Sequence, residues 1–260
     1  MAASQSSPRP IVVVTGGGQH VWAMINAIAD RVGPVSVVLE IPESKKQLLR
    51  GRARRQGWIS AIGQLGTMVL SRLGKRFLAG HAARLIAEEK LETEPRRDQE
   101  IIHVASANGL ECLQAIQKIR PGVVLLNGCR LISAEMLSKM PCPVLNYHAG
   151  ITPKYRGMNG GYWALVSGDA QNFGTTIHLV DAGVDTGGVL KQARGRSKKG
   201  DTISSHALRQ TAFSLDICVE AISDALAGKL TTIDPGLPSK QWYHPTIWFY
   251  VWTGLRTGIW

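Results

Sequence analysis

Hydrophobic and polar positions follow two alternating regimes along this 260-residue chain. Ile11 to Thr15 is a continuous β-branched run, read as a buried strand, and it ends in Gly16-Gly17-Gly18. Apolar residues at helical spacing follow from Gln19 to about Arg31, and Val35 to Glu40 gives a second strand. Strand, glycine turn, helix and strand predict a βαβ unit with a right-handed crossover. The alternation resumes with strands at Ile101–Ala105, Val123–Leu126 and from Val144, separated by helices at Leu110–Ile119 and Ser133–Lys139. The expected fold class is therefore α/β: a Rossmann-like doubly wound, mostly parallel sheet. Gly160–Val166 reads as a further helix, and Thr175–Val180 with Gly188–Arg194 as a hairpin-like pair of strands. Thr202 is the expected N-cap of one long helix reaching about Leu226, closed by Gly228.

Two stretches break the pattern. Residues 44–91 are helix-prone, with Trp58, Ile59, Ile62, Leu65, Val69, Leu70 and Leu73 at helical spacing. They read as an inserted helical region. Past Thr231 the chain turns aromatic, with Trp242, Tyr243, Trp248, Phe249, Tyr250, Trp252 and Trp260 among stiffening prolines. The expected division is one domain over 1–230, carrying the insertion at about 44–91, and an aromatic tail over 231–260. The tail is expected to pack on the domain, on a second subunit in a homodimer, or on a membrane surface.

Charge sharpens this division. The formal net charge is +11, and the segment from Ser44 to Ala87 holds ten Lys and Arg residues with no Asp or Glu. Such a focused positive surface suits phosphate groups on a nucleotide, a nucleic acid or an anionic lipid. A solvated helix face is the plainer alternative. No apolar stretch is long and charge-free enough to span a bilayer, and the N-terminus lacks a basic-then-apolar leader pattern, so a cytosolic location is expected. Cys112, Cys129, Cys142 and Cys218 lack Cys-x-x-Cys spacing, which argues against a zinc site and a disulfide framework.

The chemistry concentrates between Val144 and Leu190. Val144-Leu145-Asn146-Tyr147-His148 reads as a strand whose Asn146 and His148 share one face, because strand side chains alternate. Asp185 arrives on a loop flanked by Gly183, Gly187 and Gly188, expected to give that loop conformations denied to residues with a Cβ. An amide that can hold an oxyanion, an imidazole that can move a proton and a carboxylate that can accept one suit acyl transfer. A metal reading of His148, His178 and Asp185 has no His-x-x-x-His pair behind it, so no metal is expected.

The order Asn-x-His, Pro-x-x-x-Gly, Gly-Thr-Thr-Ile-His and Asp-x-Gly-x-Asp-x-Gly resembles the folate-dependent formyltransferases. The resemblance implies transfer of a formyl group from N10-formyltetrahydrofolate to a primary amine. Asn146 and His148 would stabilise the tetrahedral intermediate and assist proton transfer, and Asp185 would accept the amine proton. By the same resemblance the folate would lie against Leu125, Leu126, Gly128, Cys129, Leu131, Asp181 and Val184. Gly17, Gly18, Tyr155, Arg156 and Gly157 would meet the acceptor, and His178 would support the site through a hydrogen bond. His20, His81, His103, His206 and His244 show no partner spacing and read as core or surface residues.

The acceptor is narrowed by what the chain lacks. The first loop has Gly16-Gly17-Gly18-Gln19-His20, without the Ser-Asn pair with which glycinamide ribonucleotide formyltransferases grip phosphate. The residues after Gly228 are too few for the separate RNA-binding domain of methionyl-tRNA formyltransferases, so nucleic acid is not the expected partner. A small, phosphate-bearing amine, foremost a nucleotide-linked amino sugar of polysaccharide biosynthesis, is the expected acceptor. The basic insertion would receive its phosphates or hold the enzyme against an anionic membrane. Hydrolysis of formyltetrahydrofolate and non-catalytic binding of folate or a nucleotide sugar are the alternatives.

Overall fold

The computed structural model describes residues 9–77 and 79–260; residues 1–8 and Leu78 lie outside these, as do the side chains of Lys75, Arg76 and Phe77. The chain opens with β1 (Ile11–Thr15), α1 (Gln19–Arg31) and β2 (Val35–Glu40), followed by three helices, α2 (Lys45–Gln56), α3 (Trp58–Phe77) and α4 (Ala79–Glu88). The alternation then resumes with β3 (Ile101–Val104), α5 (Leu110–Ile119), β4 (Val123–Asn127), α6 (Ala134–Ser138) and β5 (Val144–His148). Next come β6 (Arg156–Gly157), α7 (Gly160–Val166), β7 (Gly174–Leu179), β8 (Val189–Arg194), α8 (His206–Ala212), α9 (Leu215–Leu226), β9 (Gln241–Trp242) and α10 (Ile247–Thr257).

Seven strands form one sheet in the order β3-β2-β1-β4-β5-β7-β8. The first five are mutually parallel, and β7 and β8 are antiparallel additions at the β5 edge. Helices cover both faces, which is why β1 is buried at every position and apolar from Ile11 to Val14. Ile11 and Val13 join Val21, Met24 and Ile25 of α1 and Cys218 and Ile222 of α9 in one core. Val12 and Val14 join Cys112, Leu113 and Ile116 of α5 in the other. Strand order reverses between β1 and β4, and in such sheets the crevice beyond the carboxyl ends of the strands is where ligands bind.

The expected long helix from Thr202 to Leu226 is two helices. Ser205, not Thr202, precedes the first turn of α8, and the chain bends at Phe213 and Ser214. The Ser214 hydroxyl donates to the Gln210 carbonyl at 2.7 Å and lies 3.0 Å from the buried Tyr147 hydroxyl, so the break is built on polar groups that a continuous helix would leave unpaired. The bend lets α9 pack on the sheet while α8 turns His206 and Gln210 toward the crevice.

The tail and the insertion are tied into this frame. Gln241 and Trp242 pair with Arg156 and Gly157 as a short parallel ladder. α10 packs on α3, where the Thr67 hydroxyl donates to the Pro245 carbonyl at 2.8 Å. At the other end of the insertion, the buried Arg209 of α8 donates to Asp201 and to Glu89 at 3.0 Å each, and His81 of α4 lies 2.8 Å from Asp201. Burial alone would raise the Asp201 carboxyl, but Arg209 and His81 hold it below the usual carboxylate range. Removing Arg209 leaves that buried charge unpaired. Arg209→Met is expected to cost about 3 kcal/mol or more of stability, read as a lower denaturant midpoint with unchanged slope.

Candidate active site

The site grows from the register of two neighbouring strands. Asn146 and His148 are two apart on β5 and point to one face, and the antiparallel β7 sets His178 directly opposite Asn146. Asp185 reaches the same point from the loop between β7 and β8. Its backbone is left-handed, with φ of 51°, a conformation uncommon for a side chain other than Asn, Asp or Gly. The strain sits on the functional residue itself. The flanking glycines, expected to supply positive φ, instead permit close approach: a Cβ on Gly187 would collide with the Leu179 carbonyl.

The Asp185 carboxylate is held on both oxygens. Oδ1 accepts from Asn146 Nδ2 at 3.1 Å and lies 3.4 Å from His178 Nε2. Oδ2 accepts from the Gly157 amide at 2.8 Å and lies 3.4 Å from His148 Nδ1. Burial by itself raises this carboxyl, and the nearby His148, His178 and Gly157 amide outweigh it, so the group is held far below the usual carboxylate range.

Neighbouring acceptors settle where the protons sit. His148 Nε2 is 2.6 Å from the Tyr155 carbonyl, which can only accept, so Nε2 carries a proton and Nδ1 is the nitrogen facing Asp185. His178 Nδ1 is 2.7 Å from the Leu179 carbonyl and carries a proton for the same reason. In the neutral ring its Nε2 accepts from Asn146 Nδ2, 3.0 Å away, and in the imidazolium the same nitrogen donates toward Asp185 Oδ1 at 3.4 Å. Both Nδ2 hydrogens of Asn146 are thereby engaged, one by His178 and one by Asp185.

These residues line one end of a cleft of about 550 Å³, within the size range of small-molecule sites. Leu126 lines it from the end of β4, Gly128, Cys129 and Leu131 from the loop that follows, and Asp181 and Val184 from the loop that carries Asp185. Glu40, buried at the end of β2, fixes the first loop by accepting from the Arg130 amide at 2.6 Å. Leu125 does not share this position. Alternation along β4 turns it into the core beside β1 and α1, fully buried.

Four other expected contacts are placed differently. Gly17 and Gly18 are absent from the cleft lining and shape the turn into α1, whose first bonds go to the Gly18 carbonyl. The Tyr155 ring is buried and its hydroxyl donates to Asp169 at 2.7 Å, so only its carbonyl serves the site, through His148. Arg156 donates to the Val184 carbonyl at 2.8 Å and clamps the Asp185 loop. Gly157 lines the cleft and presents its amide to Asp185; with φ of 91° and the Trp242 carbonyl against its α-carbon, no side chain fits there.

The opposite wall comes from parts whose position sequence alone did not reveal. Arg52 and Arg55 of α2 line it with Glu43 and Gln47, and Tyr243 and His244 of the tail close one end. Arg52 is half-buried, with Nη1 3.2 Å from Met68 Sδ, a weak acceptor, and among the described residues no carboxylate lies within 4 Å of its guanidinium. Burial lowers the Arg52 guanidinium from its ordinary value, partly offset by Glu43. His244, read as a core or surface residue, lines the cleft and accepts from Asn159 Nδ2 through Nδ1 at 2.8 Å. Burial and then Arg52 push it down to about 4, so it is neutral at pH 7. His206, at the start of α8, is also in the lining and is pushed to about 4 by burial. The basic character of residues 44–87 was the one available signal, and it carried no direction. Among the described residues no group of His, Cys, Asp and Glu is arranged to hold a metal ion.

The methionyl-tRNA formyltransferase of Koribacter versatilis is 32% identical over 127 residues, which cover 48% of this chain and 40% of that protein. The chain spans less than half the length of the curated relatives it matches. Among solved structures, glycinamide ribonucleotide transformylase 1 from Symbiobacterium toebii superposes with a TM-score of 0.58 at 22% identity, covering 90% of this chain and 97% of that one. An N-formyltransferase from Helicobacter canadensis, in complex with folinic acid and dTDP-3-aminofucose, superposes with a TM-score of 0.54 at 12% identity, covering 91% and 71%. At these identities the two superpositions establish a shared fold. The family profile described as formyl transferase matches residues 9–222, and the chain belongs to that family.

Proposed function

We propose that this protein transfers the formyl group of N10-formyltetrahydrofolate to a primary amine on a small, phosphate-bearing acceptor, foremost a nucleotide-linked amino sugar. The observation that carries this reading is the pairing, across one cleft, of the Asn146, His148 and Asp185 cluster with the guanidinium groups of Arg52 and Arg55. The first is equipped for acyl transfer and the second for an anion. The structure of the Helicobacter canadensis relative, with folinic acid and a nucleotide amino sugar together, supports the same pairing of ligands.

The cleft walls offer the folate what its ring requires, with apolar contact from Leu126 and Leu131 and backbone groups from the Gly128–Cys129 and Asp181–Val184 segments. When bound, the donor supplies the formyl carbon. A bond forms from the amine nitrogen to that carbon and the bond to the folate nitrogen breaks, while one proton leaves the amine and one reaches the folate nitrogen. The formyl oxygen becomes negative on the way. Asn146 Nδ2 meets that charge by exchanging its neutral bond to His178 for a charge-assisted one, an exchange favourable only while the oxygen is charged.

The role expected for Asp185 changes in the light of its surroundings. A carboxylate held this far below its usual range is a poor resting place for a proton. It stabilises the cationic amine and passes the proton to His148 Nδ1, while the Tyr155 carbonyl keeps the imidazole oriented through Nε2.

Activity assays with an amine panel, following release of tetrahydrofolate and the mass gain of one formyl group on the acceptor, test the reading. Release that depends on an amino-sugar nucleotide is the expected result. Release without any amine would instead support hydrolysis, and no release would support binding alone. His148→Ala and Asp185→Asn are each expected to lower turnover by about 10²-fold or more with the fold retained. Arg52→Met is expected to raise KM for the phosphate-bearing acceptor by about tenfold or more, with KM for the folate unchanged.

The lowered Asp185 carboxyl also makes a stability prediction. Its folded value lies below its unfolded one, so its contribution is complete above about pH 4 and is lost progressively in acid. Denaturation across that range should show wild type ahead of Asp185→Asn at neutral pH, with the gap closing as pH falls.

A further inference from the structure

Most of the exposed large apolar side chains lie on two helices that pack together. On α3 these are Trp58, Ile59, Ile62, Val69, Leu70 and Leu73, between 36% and 78% exposed. On α10 they are Trp248, Trp252 and Leu255, at 52%, 55% and 78%. The spacings are those of helix faces: residues 58, 62, 69 and 73 follow one side of α3, and 248, 252 and 255 one side of α10. Helix α10 sits directly on α3, because Gly63 leaves room for the Trp248 ring and Gly66 for Ile247. The two faces are parts of one surface. Solvent-facing apolar residues in such number are not required by the fold, whose two cores are complete without them.

The charge around this surface has a single sign. From Ser44 to Ala87, and again after Asp234 to the last residue, the chain contains no Asp or Glu. Arg54, Arg55, Arg72 and Arg256 are exposed on α2, α3 and α10, and the Arg256 guanidinium lies 5.1 Å from the centre of the Trp252 ring. Exposed Trp and aliphatic residues on helices that carry cations and no Asp or Glu fit the interface of an anionic bilayer, where indole rings sit at headgroup level and each nearby Lys or Arg adds attraction. A second copy of this face would bring like charges together, which disfavours self-association.

We propose that the α3–α10 face docks this protein on anionic membrane surfaces. The proposal goes beyond the formyl-transfer reading and stands or falls apart from it. Its consequence for the site is positional. An aromatic groove lined by Trp163, Trp242, Trp248, Phe249 and Trp252 borders the catalytic cleft, sharing Gln56, Gln64 and residues 241–244 with it. A docked enzyme would therefore hold the acceptor wall of its cleft beside the lipid.

Sedimentation with vesicles of phosphatidylcholine alone, and of phosphatidylcholine mixed with phosphatidylglycerol, tests this. The expected result is at least about tenfold stronger partition onto the anionic vesicles, weakened by salt. Ile59→Asp combined with Leu255→Asp, both at residues 78% exposed, should remove it while leaving the thermal midpoint unchanged; if that variant fails to fold, Val69→Asp with Leu73→Asp serves in its place. Recovery of the wild type in the supernatant with anionic vesicles overturns the proposal. So does equal binding to neutral vesicles, or light scattering that finds a dimer which the variants split.

Discussion

Everything at the catalytic end of the cleft depends on one ionised carboxylate kept in a nearly dry place. Asp185 has a side chain only 13% exposed, and a charge in that position is costly unless each oxygen is satisfied. Asn146 and His148 of β5, His178 of β7 and the Gly157 amide of β6 all lie against its two oxygens. The carboxylate therefore acts as a template. It accounts for the glycine at 157, whose amide must approach unhindered, and for Arg156, which fixes the loop through the Val184 carbonyl. It also accounts for a left-handed backbone at a non-glycine residue, since the strain is borne where the contacts are densest.

The same arrangement explains why the site needs the last part of the chain. Gly157 is paired to Trp242 in the β6–β9 ladder, so the segment that presents an amide to Asp185 is held from the other side by the tail. The tail in turn rests on α3, and α3 continues from α2, which carries Arg52 and Arg55 into the cleft. The Asp185 cluster and the cationic wall are joined by a continuous path through β5, the Asp185 loop, β6, β9, α10, α3 and α2. A change in the aromatic tail is transmitted to Asp185 through a two-residue ladder, a short and direct route.

The sheet and its switch point were legible in the sequence because buried parallel strands are near-continuous apolar runs, and the first four residues of β1 and of β4 are of that kind. The grouping of Asn146 with His148 followed from alternation alone. What could not be read was anything that depends on one element crossing another. Nothing local to Ser44–Ala87 says that α2 faces the cleft while α3 faces solvent. Leu125 and Leu126 are indistinguishable as sequence, and only the placement of helices on each side of β4 sends one to the core and the other to the ligand. Tyr155 illustrates a third kind of blindness. Its motif position suggested substrate contact, whereas its backbone carbonyl, which any residue would provide, is the atom that matters to His148.

The distribution of charge in the insertion bears on how a formyl transferase scaffold acquires a substrate. Arg52 lies half-buried with its Nη1 3.2 Å from the Met68 sulfur, although the chain has acidic residues that pair elsewhere, as Glu89 and Asp201 do with Arg209. A guanidinium left without a carboxylate in a partly desolvated wall costs stability, and such a cost is sustained when an external anion completes the site. Keeping Ser44–Ala87 free of acids serves two ends at once. It leaves α2 with no acidic partner of its own for Arg52, so that Glu43 acts on it only from beyond contact, and it leaves the outward face of the same helices with one sign of charge. A single compositional rule thus shapes the charge of both the inner wall of the cleft and the outer surface of the same helices.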